Sequence, residues 1–194
     1  MKNSKIGQMA AVALLMGLIV VLQLLSGTIP PVGGFTISLV LIPIVLGGAL
    51  FGAKTGALLG GVFGIIVMIG CITGTDVGGA MVFQANPVLC FLVVMGKGIL
   101  AGLISGWIYK LIHGKNAYIA MLAAAIVCPT VNTGVFVVCM LTFFKDVLAA
   151  WAGGGDILAY VLTGLVLANY VPELLINVIF SPAGQRILHS IQKK

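Results

Sequence analysis

Six apolar runs, separated by short turn-forming segments, divide this chain from end to end. In a bilayer no water reaches the backbone, so a spanning segment must satisfy its own N–H and C=O groups. A helix of about 17–25 apolar residues does so. Runs at about residues 6–25, 36–51, 55–72, 87–109, 117–144 and 157–180 have that character. The second is short and follows Pro30-Pro31 and Gly33-Gly34, which predicts a tilted or irregular start. The expected fold is an all-α integral membrane protein: one domain over residues 1–194, a compact bundle of six transmembrane helices.

Charged residues make up only 7% of the chain and hydrophobic ones 61%. A soluble domain carries about 25% charged residues, so this chain cannot coat itself for water. The net charge of +6 does not point to nucleic acid, because the basic residues stand singly between apolar runs instead of forming a patch. They sort by side. Lys2, Lys5, Lys54, Lys110, Lys115, Arg186, Lys193 and Lys194 fall on one side of a six-span arrangement. The other side has Lys145 beside Asp146, with Asp76 and Asp156 elsewhere in its loops. The positive-inside rule then puts both termini in the cytoplasm. The first run is too long for the core of a signal peptide and lacks a cleavage site, so it reads as a retained helix.

The loops on the two sides differ in kind. Cytoplasmic turns are short, whereas SGTIPPVGGFT, TGTDVGGAMVFQANP and KDVLAAWAGGGD are long and glycine-rich. These three are expected to be outer loops that cover a site opening outward. Small residues also recur within the spans. Gly48, Gly52, Gly56, Gly60 and Gly64 stand at every fourth position across a helix–turn–helix, a signal for close helix packing. On the first helix Gly7/Ala11 and Ala13/Gly17 repeat the spacing. Periodicity alone leaves open whether that face packs inside the bundle or meets another membrane protein.

Polar residues inside the spans are few and expensive, which makes them the candidates for function. Lys97 interrupts the fourth run, where a charge costs about 2.5–3.5 kcal/mol on insertion scales. In the fifth, CPTVNTG brings Asn132 and Thr133 beside Pro129. In the sixth, LANYVPELLIN sets Asn169, Glu173 and Asn177 on one helical face, with Pro172 able to kink the helix. Two compensations for Lys97 compete: an ion pair with Glu173, or a polar pocket in which Lys97 meets an anionic ligand with Asn132 and Asn169 donating hydrogen bonds. Lys97, Asn132, Thr133, Asn169 and Glu173 are the candidate substrate-binding residues.

No catalytic motif is present: no H-E-x-x-H, no G-x-S-x-G and no Walker A sequence. Cys71, Cys90, Cys128 and Cys139 lack C-x-x-C spacing and read as small buried hydrophobes. No enzymatic activity, cofactor or metal is expected. If transport is driven by ATP, the motor is another polypeptide.

LIPIVLGGALFGAKTGALLGGVFG, from Leu41 to Gly64, resembles the signature of substrate-binding S components of energy-coupling factor (ECF) vitamin transporters. The likeness extends over essentially the whole chain, through the six spans, the small-residue face of the first helix and the polar later spans. Many members of that family carry a proline after the FG of the second-to-third turn, where this chain has Ala53. The resemblance implies a multi-pass protein of a bacterial plasma membrane that binds a vitamin or related micronutrient near the outer face. It implies assembly with a transmembrane coupling protein and two ATPases, with Gly7, Ala11, Ala13 and Gly17 contacting the coupling protein. It also implies delivery by toppling of the whole binding protein. Lys97 suits a carboxylate ligand such as pantothenate, biotin or a folate, and the scarcity of aromatic surface in the spans favours pantothenate. A stand-alone proton-coupled carrier and a non-transporting scaffold are the competing readings.

Overall fold

Capping residues in the sequence mark where the helices begin. In the computed structural model, which describes residues 5–27 and 38–192, four of them accept hydrogen bonds from the first free amides of a helix. Asp76 accepts from Gly79 N, Asn86 from Leu89 N, Asn116 from Tyr118 N and Ile119 N, and Asp156 from Leu158 N. The elements in order are α1 (Lys5–Ser26), α2 (Leu41–Phe51), α3 (Ala53–Thr73), α4 (Val77–Ala85), α5 (Pro87–His113), α6 (Ala117–Phe143) and α7 (Lys145–Trp151). A last, composite helix starts as α8 (Ile157–Tyr160), widens to a π-helix over Val161–Tyr170 and ends as α9 (Val171–Gln192). No strand occurs among the described residues.

The all-helical class agrees with the sequence, but the spans are less uniform than expected. Among the described residues five helices are long and apolar enough to cross a membrane: α1, α3, α5, α6 and the composite helix from Ile157 to Ser190. The second run forms a helix of only 11 residues, Leu41–Phe51. At 1.5 Å per residue it covers roughly half of a hydrocarbon core about 30 Å thick. The expected start of that span, Pro30-Pro31, Gly33-Gly34 and most of SGTIPPVGGFT, lies outside the described residues, as do Lys2, Lys193 and Lys194. The other two glycine-rich segments are not plain loops. TGTDVGGAMVFQANP folds into α4 and KDVLAAWAGGGD into α7, and Trp151 Nε1 of α7 donates to Met81 Sδ of α4 at 3.1 Å.

The π-helical stretch has a local cause. Pro172 has no N–H and crowds the carbonyl four residues earlier, so the regular ladder cannot run through it. The amide of Val171 bonds to Val166 O, one residue further back than in an α-helix.

The core is built on glycine. Gly52, at φ 95°, makes the turn that folds α2 back beside α3. Along α3 and α5 the backbones touch. A Cβ on Gly60 would overlap Gly98 O and one on Gly98 would overlap Gly60 O, while Gly56 and Gly102 stand in the same relation. A Cβ on Gly106 would come within 2.8 Å of Ala53 Cα. The every-fourth glycines read from α2 and α3 thus meet a second set on α5. This contact runs antiparallel and sets the register of α5, and with it the position of Lys97. α6 packs on the other side of α5, and α9 packs on α6 and α2. α1 is peripheral, with Ile19 and Ser26 its buried residues.

Candidate functional site

A polar cavity lies where the C-terminal halves of α1, α3 and α6 meet the N-terminal halves of α5 and the composite helix. It is lined by Gln23 of α1, Ser38, Phe63, Val67 and Cys71 of α3, and Asp76, Gly79 and Val82 at and within α4. Cys90, Val93, Val94 and Lys97 of α5 continue the wall. Asn132, Thr133 and Phe136 of α6, with Leu165, Asn169 and Glu173 of the last helix, complete it. Measured as room for water centres it is about 60 Å3. A single water needs about 10–15 Å3 on that measure, so this is a ligand-sized or multi-water space and no packing defect.

All five residues singled out in the spans line this one cavity: Lys97, Asn132, Thr133, Asn169 and Glu173. They come from three helices, and only folding brings them together. Lys97 is half-buried, and its Nζ lies 4.8 Å from the ring centroid of Phe136 and 6.0 Å from that of Phe63. A cation over an aromatic face gains about 0.5–2 kcal/mol when partly desolvated. These rings and the cavity, more than a direct pairing, hold the charge inside the span.

Of the two compensations, the ion pair is not seen among the described residues. Glu173 is 2% exposed, and its Oε1 accepts the backbone amide of Ser38 at 2.9 Å. Its Oε2 has no hydrogen-bond partner among the described residues. Asn177, expected on the same face as Asn169 and Glu173, donates through Nδ2 to Glu173 O at 2.8 Å and lines a separate small apolar space with Phe180 and Gly184. Ser38 holds one carboxylate oxygen, and Lys97 lies over the aromatic rings.

Among the lining residues that escaped the sequence reading, four bear on the chemistry: Gln23, Asp76, Phe63 and Phe136. Gln23 is a polar residue inside an apolar run, so the rule that picked Asn132 would have found it. Asp76 had been set aside as a loop charge; it caps α4 and α4 carries it to the cavity wall. Phe63 and Phe136 are apolar residues among apolar residues, and no signal in the sequence separates them from core. The small residues of α1 divide between two environments. Gly7 and Ala11 are half-buried, while Ala13 and Gly17 are exposed, and a Cβ on Gly17 would meet nothing within 4 Å.

Comparison with known proteins yields two findings. The family model described as "ECF transporter, substrate-specific component" matches residues 7–183. The chain is also similar to the pantothenic acid transporter PanT of Lactococcus lactis subsp. cremoris (strain MG1363), with 26% identity over 195 residues, covering 94% of each chain.

Proposed function

The chain belongs to the family of ECF transporter substrate-specific components, and from that premise we propose that it captures pantothenate for import. The family is one of transporter components and not of enzymes, and its apolar helices make this a multi-pass membrane protein.

The observation that carries the reading is Lys97. It is the only basic residue among the described cavity residues, it is held over Phe136 and Phe63, and among the described residues the nearby Glu173 Oε2 has no hydrogen-bond partner. A small organic anion would meet a ready cation there, with Asn132, Thr133 and Asn169 within the same wall to orient it. The likeness to PanT supports pantothenate as that anion. The proposed arrangement is one six-helix domain with both termini cytoplasmic, supported by the sidedness of its lysines. The cavity, at the end away from Lys54, Lys110 and Lys115, then opens outward. Uptake is driven by ATP through two ATPases and a transmembrane coupling protein, and the coupling protein docks on α1 at its small residues Gly7, Ala11, Ala13 and Gly17.

The test is titration calorimetry on the full chain purified in detergent, without any partner. The panel holds pantothenate, biotin, folate, riboflavin and thiamine. Pantothenate is expected to bind tightly and alone. Preference for another compound, or binding of none by a folded sample, overturns the assignment.

A further inference from the structure

Three residues that line the cavity each carry a buried acceptor oxygen with no hydrogen-bond partner among the described residues: Gln23 Oε1, Asn132 Oδ1 and Glu173 Oε2. They belong to α1, α6 and α9, three elements that meet only in the folded chain. Each of these atoms is buried, and Asn132 and Glu173 as residues are 5% and 2% exposed. A native fold leaves few buried polar atoms unmatched, because each costs stability. Four other buried polar atoms among the described residues also lack a partner, Tyr109 Oη, His113 Nδ1, Asn177 Oδ1 and Gln185 Oε1, but they are scattered and none belongs to a residue of this cavity. Three unmatched acceptors on one cavity wall therefore mark a site made to receive donors.

The other groups on Glu173 are already engaged. Its Oε1 takes the Ser38 amide and its backbone oxygen takes Asn177 Nδ2. What remains is one carboxylate oxygen without a donor, on a residue that shares its cavity with two amide oxygens in the same condition. Resting on the reading that Lys97 receives a carboxylate, we infer that the site reads a second, uncharged part of its ligand through Gln23, Asn132 and Glu173. That part must present at least two hydrogen-bond donors, hydroxyl O–H or amide N–H. The site thereby selects a hydroxylated or amide-bearing acid over a plain aliphatic carboxylate of the same size. Gln23, on the peripheral helix, is a specificity residue.

The chemistry is asymmetric in a useful way. Lys97 alone would accept any small carboxylate. A ligand lacking the donors would strand up to three acceptors and lose far more than the bonds it fails to make.

Calorimetry on the wild-type full chain compares pantothenate with its analogue in which both hydroxyls are replaced by hydrogen, N-(3,3-dimethylbutanoyl)-β-alanine. The analogue is expected to bind about 100-fold more weakly. Equal affinities within about threefold overturn the inference and leave the carboxylate site standing. Binding of neither overturns both. Gln23→Leu is expected to weaken pantothenate and leave the analogue unchanged; an equal loss for both ligands would assign Gln23 a structural role and remove it from the proposal. The wild-type comparison does not depend on that variant folding.

Discussion

Gly60 of α3 and Gly98 of α5 meet backbone to backbone, so that a β-carbon on either would overlap the carbonyl oxygen of the other. The contact lies one residue from Lys97 and one turn from Phe63. It therefore connects the packing of two long helices to the geometry of the cavity.

Replacing Gly98 by Val should destabilise the protein by at least about 2 kcal/mol, since overpacking against a backbone has no soft atom to yield. Gly96→Ala, on the same helix, is the control. A Cβ there meets nothing within 4 Å, and the change should leave stability equal or raise it by about 0.5–1 kcal/mol through helix propensity. Thermal melting in detergent separates the two. Equal melting temperatures for both variants would show that the glycine contact does not carry the packing.

Lys97→Met should keep the fold and lose affinity for pantothenate by about 10- to 100-fold, the loss of a charge-assisted hydrogen bond worth about 1.5–3 kcal/mol. Lys97→Arg should retain most of the binding. The neutral alcohol analogue of pantothenate should bind wild type and Lys97→Met with similar affinity. Calorimetry with both ligands checks this, and a uniform loss across both would point to collapse of the cavity instead.

Removing the Glu173 carboxylate should free the amide of Ser38. In Glu173→Ala that amide is expected to exchange with solvent deuterium much faster than in wild type. Stability should fall by about 1.5–3 kcal/mol, because a buried amide loses a charged or strongly polar acceptor. Unchanged protection at Ser38 would mean that the bond does not anchor this segment.

Gly17→Leu should leave melting temperature and ligand affinity unaltered, because the position faces away from the bundle. Co-purification with the coupling protein and its ATPases should be lost, since a large side chain would hold the two membrane surfaces apart. Retained assembly together with retained binding would place the docking face elsewhere, with the half-buried Gly7 and Ala11 the next positions to alter.

Much of the site was legible before folding. A lysine or an amide in an apolar run is costly wherever the helix packs, so Lys97, Asn132, Thr133, Asn169 and Glu173 stand out from local composition alone. Their convergence on one cavity was not legible in full, and the sequence left open whether Lys97 pairs with Glu173 or faces a polar pocket. Charge complementarity says which groups attract. It does not say that the amide of Ser38, 135 residues away in the chain, reaches the carboxylate first. Phe63 and Phe136 were invisible as site residues because an aromatic ring against a cation and one in a core have the same sequence signature.

Membrane residence, the helical class and, to within two residues, the starts of α1, α3, α5, α6 and the last helix followed from the sequence by itself. Hydrocarbon permits few backbone structures, and capping residues such as Asn86 and Asn116 act over three or four positions. The tertiary structure alone decided which helix faces meet. Helical periodicity puts Gly56 and Gly60 on one face of α3 and Gly98 and Gly102 on one face of α5, but it holds no information about register between the two. That register arises from close contact over the whole interface, and it turns Lys97 toward Phe136 and the cavity.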